Sequence, residues 1–213
     1  MDLTFLVGNI AVVCTIAASF SGIPLILEFF QKKSTANASV LPFLASMTCT
    51  SLWLLYCTIM NDPLMQGLNL ICSILQTIYV GCFYVNTVHK KKTLQMVGIA
   101  FTFLISTYLY GFHVADISTG SYTLGFLAAV GSILASAAPL ASISRVLQTK
   151  SSETLPFHII FSTFVVTLLW FIYGILIENS FVQVPNFISA VISAFQLGLI
   201  AVFPKKLQEK KTE

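Results

Sequence analysis

The chain of 213 residues contains 9% charged and 56% hydrophobic residues, and its mean hydropathy is +0.88. A soluble globular domain carries about 25% charged residues, so this composition excludes one and indicates a protein that lies largely in lipid. Enzyme motifs are also missing, because the sequence has no H-E-x-x-H, G-x-S-x-G or phosphate-loop pattern.

Seven apolar runs follow one another along the chain, each near the ~20 residues that a helix needs to cross a bilayer. Backbone groups in hydrocarbon must be paired within the protein, and runs of this length achieve that as helices. The runs lie at 5–30, 42–60, 64–88, 95–115, 121–147, 156–177 and 181–203. The sequence therefore predicts an all-α membrane protein with seven transmembrane helices.

Proline marks the first two runs. Pro24 falls inside the first run, where the missing N–H frees a carbonyl and kinks the axis. Pro42 opens the second run, a position that proline favours at the start of a helix. The second run continues through Trp53 and Tyr56, and the third contains Asn69.

The stretch from Trp53 to Asn69 occurs twice. Trp53-Leu-Leu-Tyr56 reappears as Trp170-Phe-Ile-Tyr173, and Asn69 aligns with Asn186 at the same offset of 117 residues. This register indicates an internal duplication.

The prolines recur as well, because Pro139 of the second copy corresponds to Pro24 of the first, and Pro156 corresponds to Pro42. The proline-to-tryptophan spacing is 11 residues in the first copy and 14 in the second. The two copies are therefore related but unequal, and we expect them to contribute unequally to function.

The fourth run has no counterpart and is interpreted as a linker helix. Three helices are an odd number, so a fourth crossing is needed for two copies to point the same way in the membrane. The predicted plan is 3+1+3 with parallel repeats. The predicted domains are the first repeat at 1–93, the linker at 94–118, the second repeat at 119–204 and a cytosolic tail at 205–213.

All eleven basic residues lie in or beside alternate connections, whereas the other connections carry Asp62, Asp116 and Glu178. The positive-inside rule then places the N-terminus on the extracellular or lumenal side and the C-terminus in the cytosol.

The duplicated residues lie at one depth. Trp53 precedes the turn at Asn61 by eight residues, so it lies roughly 12 Å along the helix, near the middle of a ~30 Å core. Asn69 returns to that level, and Trp170 and Asn186 do the same in the second copy. An amide in hydrocarbon needs a partner, so we expect both Asn side chains to face protein, water or ligand.

Two aromatic faces and two amides suit a neutral polyhydroxylated ligand such as a sugar, because C–H faces stack on indole and hydroxyls bond to amides. The alternative is that both Asn join helices and both Trp serve packing or anchor at the interface. The paired recurrence favours a binding site.

No ionisable side chain of the kind used for ion coupling lies near the predicted middle of the membrane. Ion-coupled carriers usually need Asp, Glu, His or Lys in the membrane, and the level of Trp53 has none. Facilitated diffusion is therefore the simpler mechanism.

The cysteines form no C-x-x-C pair and the histidines lie on separate segments, so we predict no metal and no cofactor. The short lysine clusters are topology signals, and we predict no binding to nucleic acid.

These residues resemble the SWEET sugar transporters, whose half-size bacterial members are called semiSWEETs. The resemblance rests on the 3+1+3 plan, the Trp/Tyr stretches, the paired Asn, and Gln-Thr-Lys-Ser at 148–151. It also rests on four prolines: Pro24, Pro42, Pro139 and Pro156.

The resemblance implies a bidirectional uniporter that works by alternating access with one central site between the repeats. It implies that the sugar is bound by Trp53, Asn69, Trp170 and Asn186. Phe20, Cys49, Ala135 and Val166 would line the pocket and influence substrate size. The four prolines would act as inner-side hinges, and Tyr56 with Gly125 would form an outer gate. The bulk of Phe20 favours a monosaccharide such as glucose, and Cys57 departs from the glycine that is common there.

Two alternatives stay open. A proton-coupled relative from the Pro-Gln-loop group, carrying amino acids or other small solutes, would share the seven-helix plan, although the sequence has no Pro-Gln dipeptide. A seven-helix receptor or cargo-sorting protein is the third candidate. The sequence is compatible with the plasma membrane or an endomembrane such as the Golgi, and helix faces rich in small residues permit a homo-oligomer.

Overall fold

The computed structural model describes residues 2–35, 38–153 and 155–203, and these residues form helices and connections without a strand. The α-helices in this part of the chain are α1 Leu3–Ser19, α2 Ile23–Lys32, α3 Leu41–Ile59, α4 Pro63–Asn86, α5 Lys90–Leu109, α6 Ile117–Ala135, α7 Ala137–Thr149, α8 Phe157–Leu176 and α9 Ser180–Val202. A 3-10 turn at Phe20–Gly22 separates α1 from α2, and a π-helical turn at Tyr110–Val114 extends α5.

Seven helical segments of the described chain are long and apolar enough to cross a membrane. They are Leu3–Lys32, Leu41–Ile59, Pro63–Asn86, Lys90–Val114, Ile117–Thr149, Phe157–Leu176 and Ser180–Val202. The predicted all-α fold with seven spans is confirmed. The predicted domain boundaries stay a prediction, and the tail at 205–213 lies outside the described residues.

The chain divides into two compact units, and the division after Gly131 falls within α6. In the first unit, α4 contacts α1, α2 and α3, and α5 packs on α3. In the second unit, α9 contacts both α7 and α8. The third helix of each copy, α4 or α9, therefore packs against the second helix of its copy and against the segment that follows the proline break.

The offset of 117 residues recurs in the backbone. Four residues outside glycine adopt positive φ in the described chain, and they form two pairs at this offset: Lys33 (48°) with Lys150 (53°), and Asn61 (52°) with Glu178 (53°). The N-caps of α4 and α9 also correspond. Asp62 accepts a hydrogen bond from the Met65 N–H, and Asn179 accepts from the N–H groups of Phe181 and Val182.

The prolines lie where the helices break or begin. Pro24 is the second residue of α2, and Pro42 is the second residue of α3. Pro139 is the third residue of α7, whereas Pro156 precedes α8 as its N-cap.

This shift explains most of the unequal proline-to-tryptophan spacing. Trp53 comes 12 residues after the first residue of α3, Leu41, and Trp170 comes 13 after the first residue of α8, Phe157. Measured along their helices, the two tryptophans therefore differ by only one residue.

Near the turn that connects them, the backbones of α8 and α9 approach each other closely. A Cβ added to Gly174 would lie 2.9 Å from the backbone nitrogen of Gln183, so only glycine fits without a shift of the backbone. The equivalent residue in the first copy is Cys57, which is buried. The departure from glycine seen in the sequence is thus confined to one of the two copies.

We expect Gly174→Ala to destabilise the protein, because forcing a methyl group against backbone costs about 1–3 kcal/mol. The measurement is thermal unfolding of the purified protein in detergent, followed by tryptophan fluorescence. Gly198→Ala on α9 is the matched control, since a Cβ there meets nothing within 4 Å, and it should leave the midpoint unchanged or raise it. Equal midpoints for the two variants would contradict the close approach.

Candidate functional site

The first tryptophan of the candidate site is held by an aromatic pair on α3. The rings of Trp53 and Tyr56 meet edge to face, with centroids 5.8 Å apart and an interplanar angle of 75°. Residues three apart lie on one face of a helix, so local sequence alone brings these rings together. Trp53 is 9% exposed and Tyr56 is 3% exposed.

The second copy repeats this arrangement on α8. Trp170 and Tyr173 have ring centroids 5.4 Å apart and an interplanar angle of 85°, and both are buried. Tryptophans that anchor a protein at the lipid interface are amphipathic side chains at the headgroup level. The burial of Trp53 and Trp170 does not fit that alternative.

The two asparagines make the same hydrogen bond, each to its own helix. The Asn69 amide on α4 donates to the carbonyl of Met65 at 2.8 Å, and the Asn186 amide on α9 donates to the carbonyl of Val182 at 2.8 Å. Within the described residues these are the hydrogen bonds of both side chains, and neither joins two helices. The structure therefore gives no support to the alternative in which they hold helices together.

Each asparagine keeps hydrogen-bonding capacity for a ligand. A side-chain amide has two N–H donors and a carbonyl acceptor, and the helix uses one N–H. Asn69 is buried and Asn186 is partly buried. One acceptor oxygen and one further donor on each amide can thus bind hydroxyl groups.

The helices of each pair are instead joined by glutamines, three residues before the asparagines. Gln66 donates to the hydroxyl of Thr58 at 3.3 Å, and Gln183 donates to the carbonyl of Gly174 at 3.0 Å. The two glutamines also lie 117 residues apart, but the sequence did not predict this role.

The predicted pocket residues lie on four different helical elements. Cys49 and Val166 each lie one turn before a tryptophan, on α3 and α8, and both are partly buried. Cys49 also lies beside α6, because a Cβ on Gly131 would be 3.6 Å from its sulfur. Phe20 begins the 3-10 turn and is 47% exposed, and Ala135 is the exposed last residue of α6.

The predicted outer-gate residues Tyr56 and Gly125 are both buried, in α3 and α6 respectively. The four prolines lie at the breaks and helix starts described above. The roles assigned to all of these residues stay predictions.

Pro185 was not singled out in the sequence, although it directly precedes Asn186. It lies inside α9 and is fully buried. A proline there removes the N–H that would bond the carbonyl one turn earlier. The first copy has Leu68 at this position, so the surroundings of the two asparagines differ. The sequence feature that could have identified Pro185 is a proline inside an apolar run.

Among the described residues, charged side chains lie in the connections or within four residues of the end of a span. The ion pair found among the described residues joins Lys32 to Glu28 at 2.6 Å, with both side chains exposed. Hydrogen bonds from the Thr119 side chain and from backbone N–H groups hold the pKa of the exposed Asp116 carboxyl below its usual value. The described residues contain no group of three or more His, Cys, Asp or Glu that could hold a metal ion.

A protein-family model described as "Sugar efflux transporter for intercellular exchange" matches this chain twice, at residues 5–93 and 122–208. The chain belongs to this family, the SWEET transporters. Two separate matches to one model agree with the duplication read from the sequence. Since members of this family are transporters, the chain is not an enzyme.

Individual SWEET proteins are similar over most of the chain. "Sugar transporter SWEET1" of Drosophila pseudoobscura pseudoobscura is 34% identical over 94% of this chain and 90% of its own length. "Sugar transporter SWEET1" of Mus musculus is 26% identical over 95% and 92%, and "Bidirectional sugar transporter SWEET10" of Arabidopsis thaliana is 25% identical over 86% and 65%. A solved structure of a eukaryotic SWEET transporter superposes with a TM-score of 0.86 at 22% identity, covering 94% of this chain and 96% of the other, which shows the shared fold.

We expect Asn69→Ala and Asn186→Ala to leave the thermal unfolding midpoint within about 3 °C of the wild type, because the lost bond to the helix backbone is worth about 1 kcal/mol at most in an otherwise intact helix. Gln183→Ala should lower the midpoint more, since it removes a bond between α8 and α9. Fluorescence-detected melting in detergent measures both. A larger loss for the asparagine variants than for Gln183→Ala would restore the helix-joining role.

Proposed function

We propose that this protein is a bidirectional facilitative sugar transporter, a uniporter for a monosaccharide such as glucose that works by alternating access. The observation that carries the proposal is the same buried Trp–Tyr pair and the same asparagine geometry in both units, at a depth without charged residues. The names of the SWEET relatives, "Sugar transporter SWEET1" and "Bidirectional sugar transporter SWEET10", support sugar as the cargo.

We further propose that Trp53 and Asn69 bind the sugar together with Trp170 and Asn186. Indole faces stack on the C–H faces of a pyranose, and amides donate to and accept from its hydroxyls. A uniporter must release its cargo on both sides, so affinity in the millimolar range is expected, which corresponds to about −4 kcal/mol. A few amide bonds and two stacking faces are sufficient for a free energy of that size.

A passive mechanism follows from the charge distribution. Coupling to a proton gradient needs a group that gains and loses a proton inside the membrane. The seven apolar runs of the sequence contain one acidic residue, Glu28. It is exposed and forms an ion pair with Lys32 near the end of α2. The absence of an acidic residue at the level of the tryptophans therefore supports passive transport over the proton-coupled Pro-Gln-loop alternative.

The basic residues support an N-terminus on the extracellular or lumenal side and a cytosolic C-terminus. Lys32 and Lys33 end α2, and Lys90, Lys91 and Lys92 begin α5, so these clusters lie on the same side after two intervening spans. We propose the plasma membrane or an endomembrane such as the Golgi as the site of the protein.

The decisive experiment is uptake of radiolabelled glucose, fructose and sucrose into proteoliposomes. Asn69→Ala and Asn186→Ala should each reduce glucose uptake roughly tenfold, because a hydrogen bond to the sugar is lost. Asn86→Ala is the matched control, since the Asn86 amide donates in the same way to the Cys82 carbonyl at 2.9 Å, at the other end of α4. It should transport normally.

Uptake should also proceed without an imposed ion gradient and should be unchanged by a protonophore. Loss of uptake when a proton gradient is collapsed would favour the coupled alternative. Normal uptake in both Asn69→Ala and Asn186→Ala would show that the binding residues are assigned wrongly.

Phe20 provides a test of substrate size. We expect Phe20→Ala to raise the ratio of sucrose to glucose uptake several-fold, because it removes a bulky ring from a predicted pocket position. Phe101→Ala is the control, since Phe101 is similarly exposed at 46% but lies on the linker helix α5. The same change of ratio in both variants, or in neither, would contradict a role of Phe20 in selectivity.

A further inference from the structure

The break between α1 and α2 contacts α4, chiefly through Tyr79. Pro24 cannot donate a hydrogen bond, and the Ile23 N–H donates instead to the Phe20 carbonyl in 3-10 fashion. The Tyr79 hydroxyl donates to the carbonyl of Ser19, the last residue of α1, at 3.1 Å. Its ring covers Gly22, where an added Cβ would lie 2.8 Å from a ring carbon.

A second side chain of α4 contacts the same break. The sulfur of Cys72 lies 3.5 Å from the Ser19 hydroxyl. Residues seven apart lie on one face of a helix, two turns from each other. Cys72 and Tyr79 therefore present one face of α4 to the break.

In the second unit the equivalent positions of α9 also contact the break region, although the bond donated there goes to Pro139, the equivalent of Gly22, and not to the equivalent of Ser19. Ser189 on α9 shares a hydrogen bond of 3.0 Å with the hydroxyl of Ser136, the residue between α6 and α7. Gln196 on α9 donates to the carbonyl of Pro139 at 3.4 Å. Each of these residues lies 117 positions after its counterpart in the first unit.

We call these four pairs the hinge contacts: Ser19–Cys72, Gly22–Tyr79, Ser136–Ser189 and Pro139–Gln196. The register is informative because the prolines themselves follow a different offset, 115 residues. The partners on the third helix have thus kept their positions relative to the break although the proline has shifted by two residues.

We propose that Tyr79 and Gln196, supported by Cys72 and Ser189, are positioning residues that pin the two proline breaks and limit the rate of the conformational change. This inference rests on the proposed transport function. A bond between a side chain and the backbone of a break must be broken before the break can change its φ and ψ angles, so it adds to the barrier of hinge motion. Tyr79 and Gln196 are 4% and 5% exposed, so water does not readily replace them as donors.

The first break also has space beside it. A cleft of about 280 Å³ is lined by Ser19, Gly22, Pro42, Phe43, Gln76 and Tyr79 among others. Closely packed interiors resist movement, so free volume next to the break allows its residues to shift once the Tyr79 bond is released.

The two sets of hinge contacts should differ in strength. The first unit has an O–H donor at 3.1 Å and a ring packed on glycine, whereas the second has a long N–H contact at 3.4 Å and a hydroxyl pair at 3.0 Å. Geometry near 2.7–2.8 Å is the norm for hydroxyl donors, and amide contacts weaken beyond 3.2 Å. Loss of Tyr79 should therefore have a greater effect than loss of Gln196.

The test uses Tyr79→Phe, which removes the hydroxyl and keeps the ring over Gly22. Hydrogen exchange followed by mass spectrometry on the whole protein should show exchange at residues 20–23 faster by roughly two- to tenfold, the factor expected for one net hydrogen bond. Exchange at residues 136–143 should be unchanged. Gln196→Met should reverse this pattern, with a smaller factor.

The ratio of equilibrium exchange to net uptake of glucose is a second readout, and the amount of active protein does not affect it. Equilibrium exchange of glucose does not require the return of the empty carrier, whereas net uptake does. Faster hinge motion in Tyr79→Phe should lower the ratio of exchange to net uptake by roughly two- to tenfold. The half-saturation concentration for exchange should stay within twofold, because Tyr79 is not proposed to touch the sugar.

Tyr84→Phe is the matched control, as Tyr84 lies on the same helix beside Lys90 and away from the break. It should change neither readout. Unchanged hydrogen exchange in Tyr79→Phe, or an equal change in Tyr84→Phe, would overturn the inference. If the wild type transports no sugar, the proposed function fails, and the hydrogen-exchange comparison alone then decides on the hinge contacts.

Discussion

The constraint on which this structure depends is that a helix broken by proline inside a membrane must still satisfy its backbone. Lipid offers no donors, so the surrounding protein has to supply them. Each copy meets this requirement with its third helix: α4 contacts both α1 and α2, and α9 contacts α7, the part that follows the second break. Tyr79 donates to the carbonyl of Ser19, just before the first break, and Gln196 donates to the carbonyl of Pro139, three residues after Ser136 at the second. The break is thereby stabilised in a defined geometry while its intrinsic hydrogen bonding stays weaker than that of a continuous helix.

The same third helices carry the asparagines of the candidate site. Asn69 and Tyr79 are ten residues apart on α4, or roughly 15 Å along the axis, and Asn186 and Gln196 have the same separation on α9. A continuous helix transmits a displacement over this distance with little deformation. A change at the break can thus displace the asparagines of the candidate site through one rigid element, which is the physical link that the proposed alternating-access mechanism needs.

Duplication produced two units with common geometry and different chemistry. Gly174 permits a close approach between α8 and α9, whereas the equivalent residue of the first copy is Cys57. Pro185 removes a backbone N–H inside α9, whereas Leu68 keeps it in α4. The inequality predicted from the proline-to-tryptophan spacing has a different origin, because it lies mostly in where Pro42 and Pro156 stand relative to the start of their helices. The tryptophans themselves lie at nearly the same position along their own helices.

The sequence by itself determined the seven helices, the duplication and the candidate Trp and Asn residues, because hydrophobic length and a fixed offset are properties of the chain in one dimension. The aromatic pairs were also implicit in it, since Trp53 and Tyr56 must share a helical face. Only the tertiary structure decided that Asn69 bonds to its own helix while Gln183 joins two helices, and that Tyr79 lies against Gly22. Helical periodicity tells which residues share a face, but the partner of that face is set by packing between helices, whether they are neighbours in the chain, as for Gln183 and Gly174, or more than fifty residues apart, as for Tyr79 and Gly22.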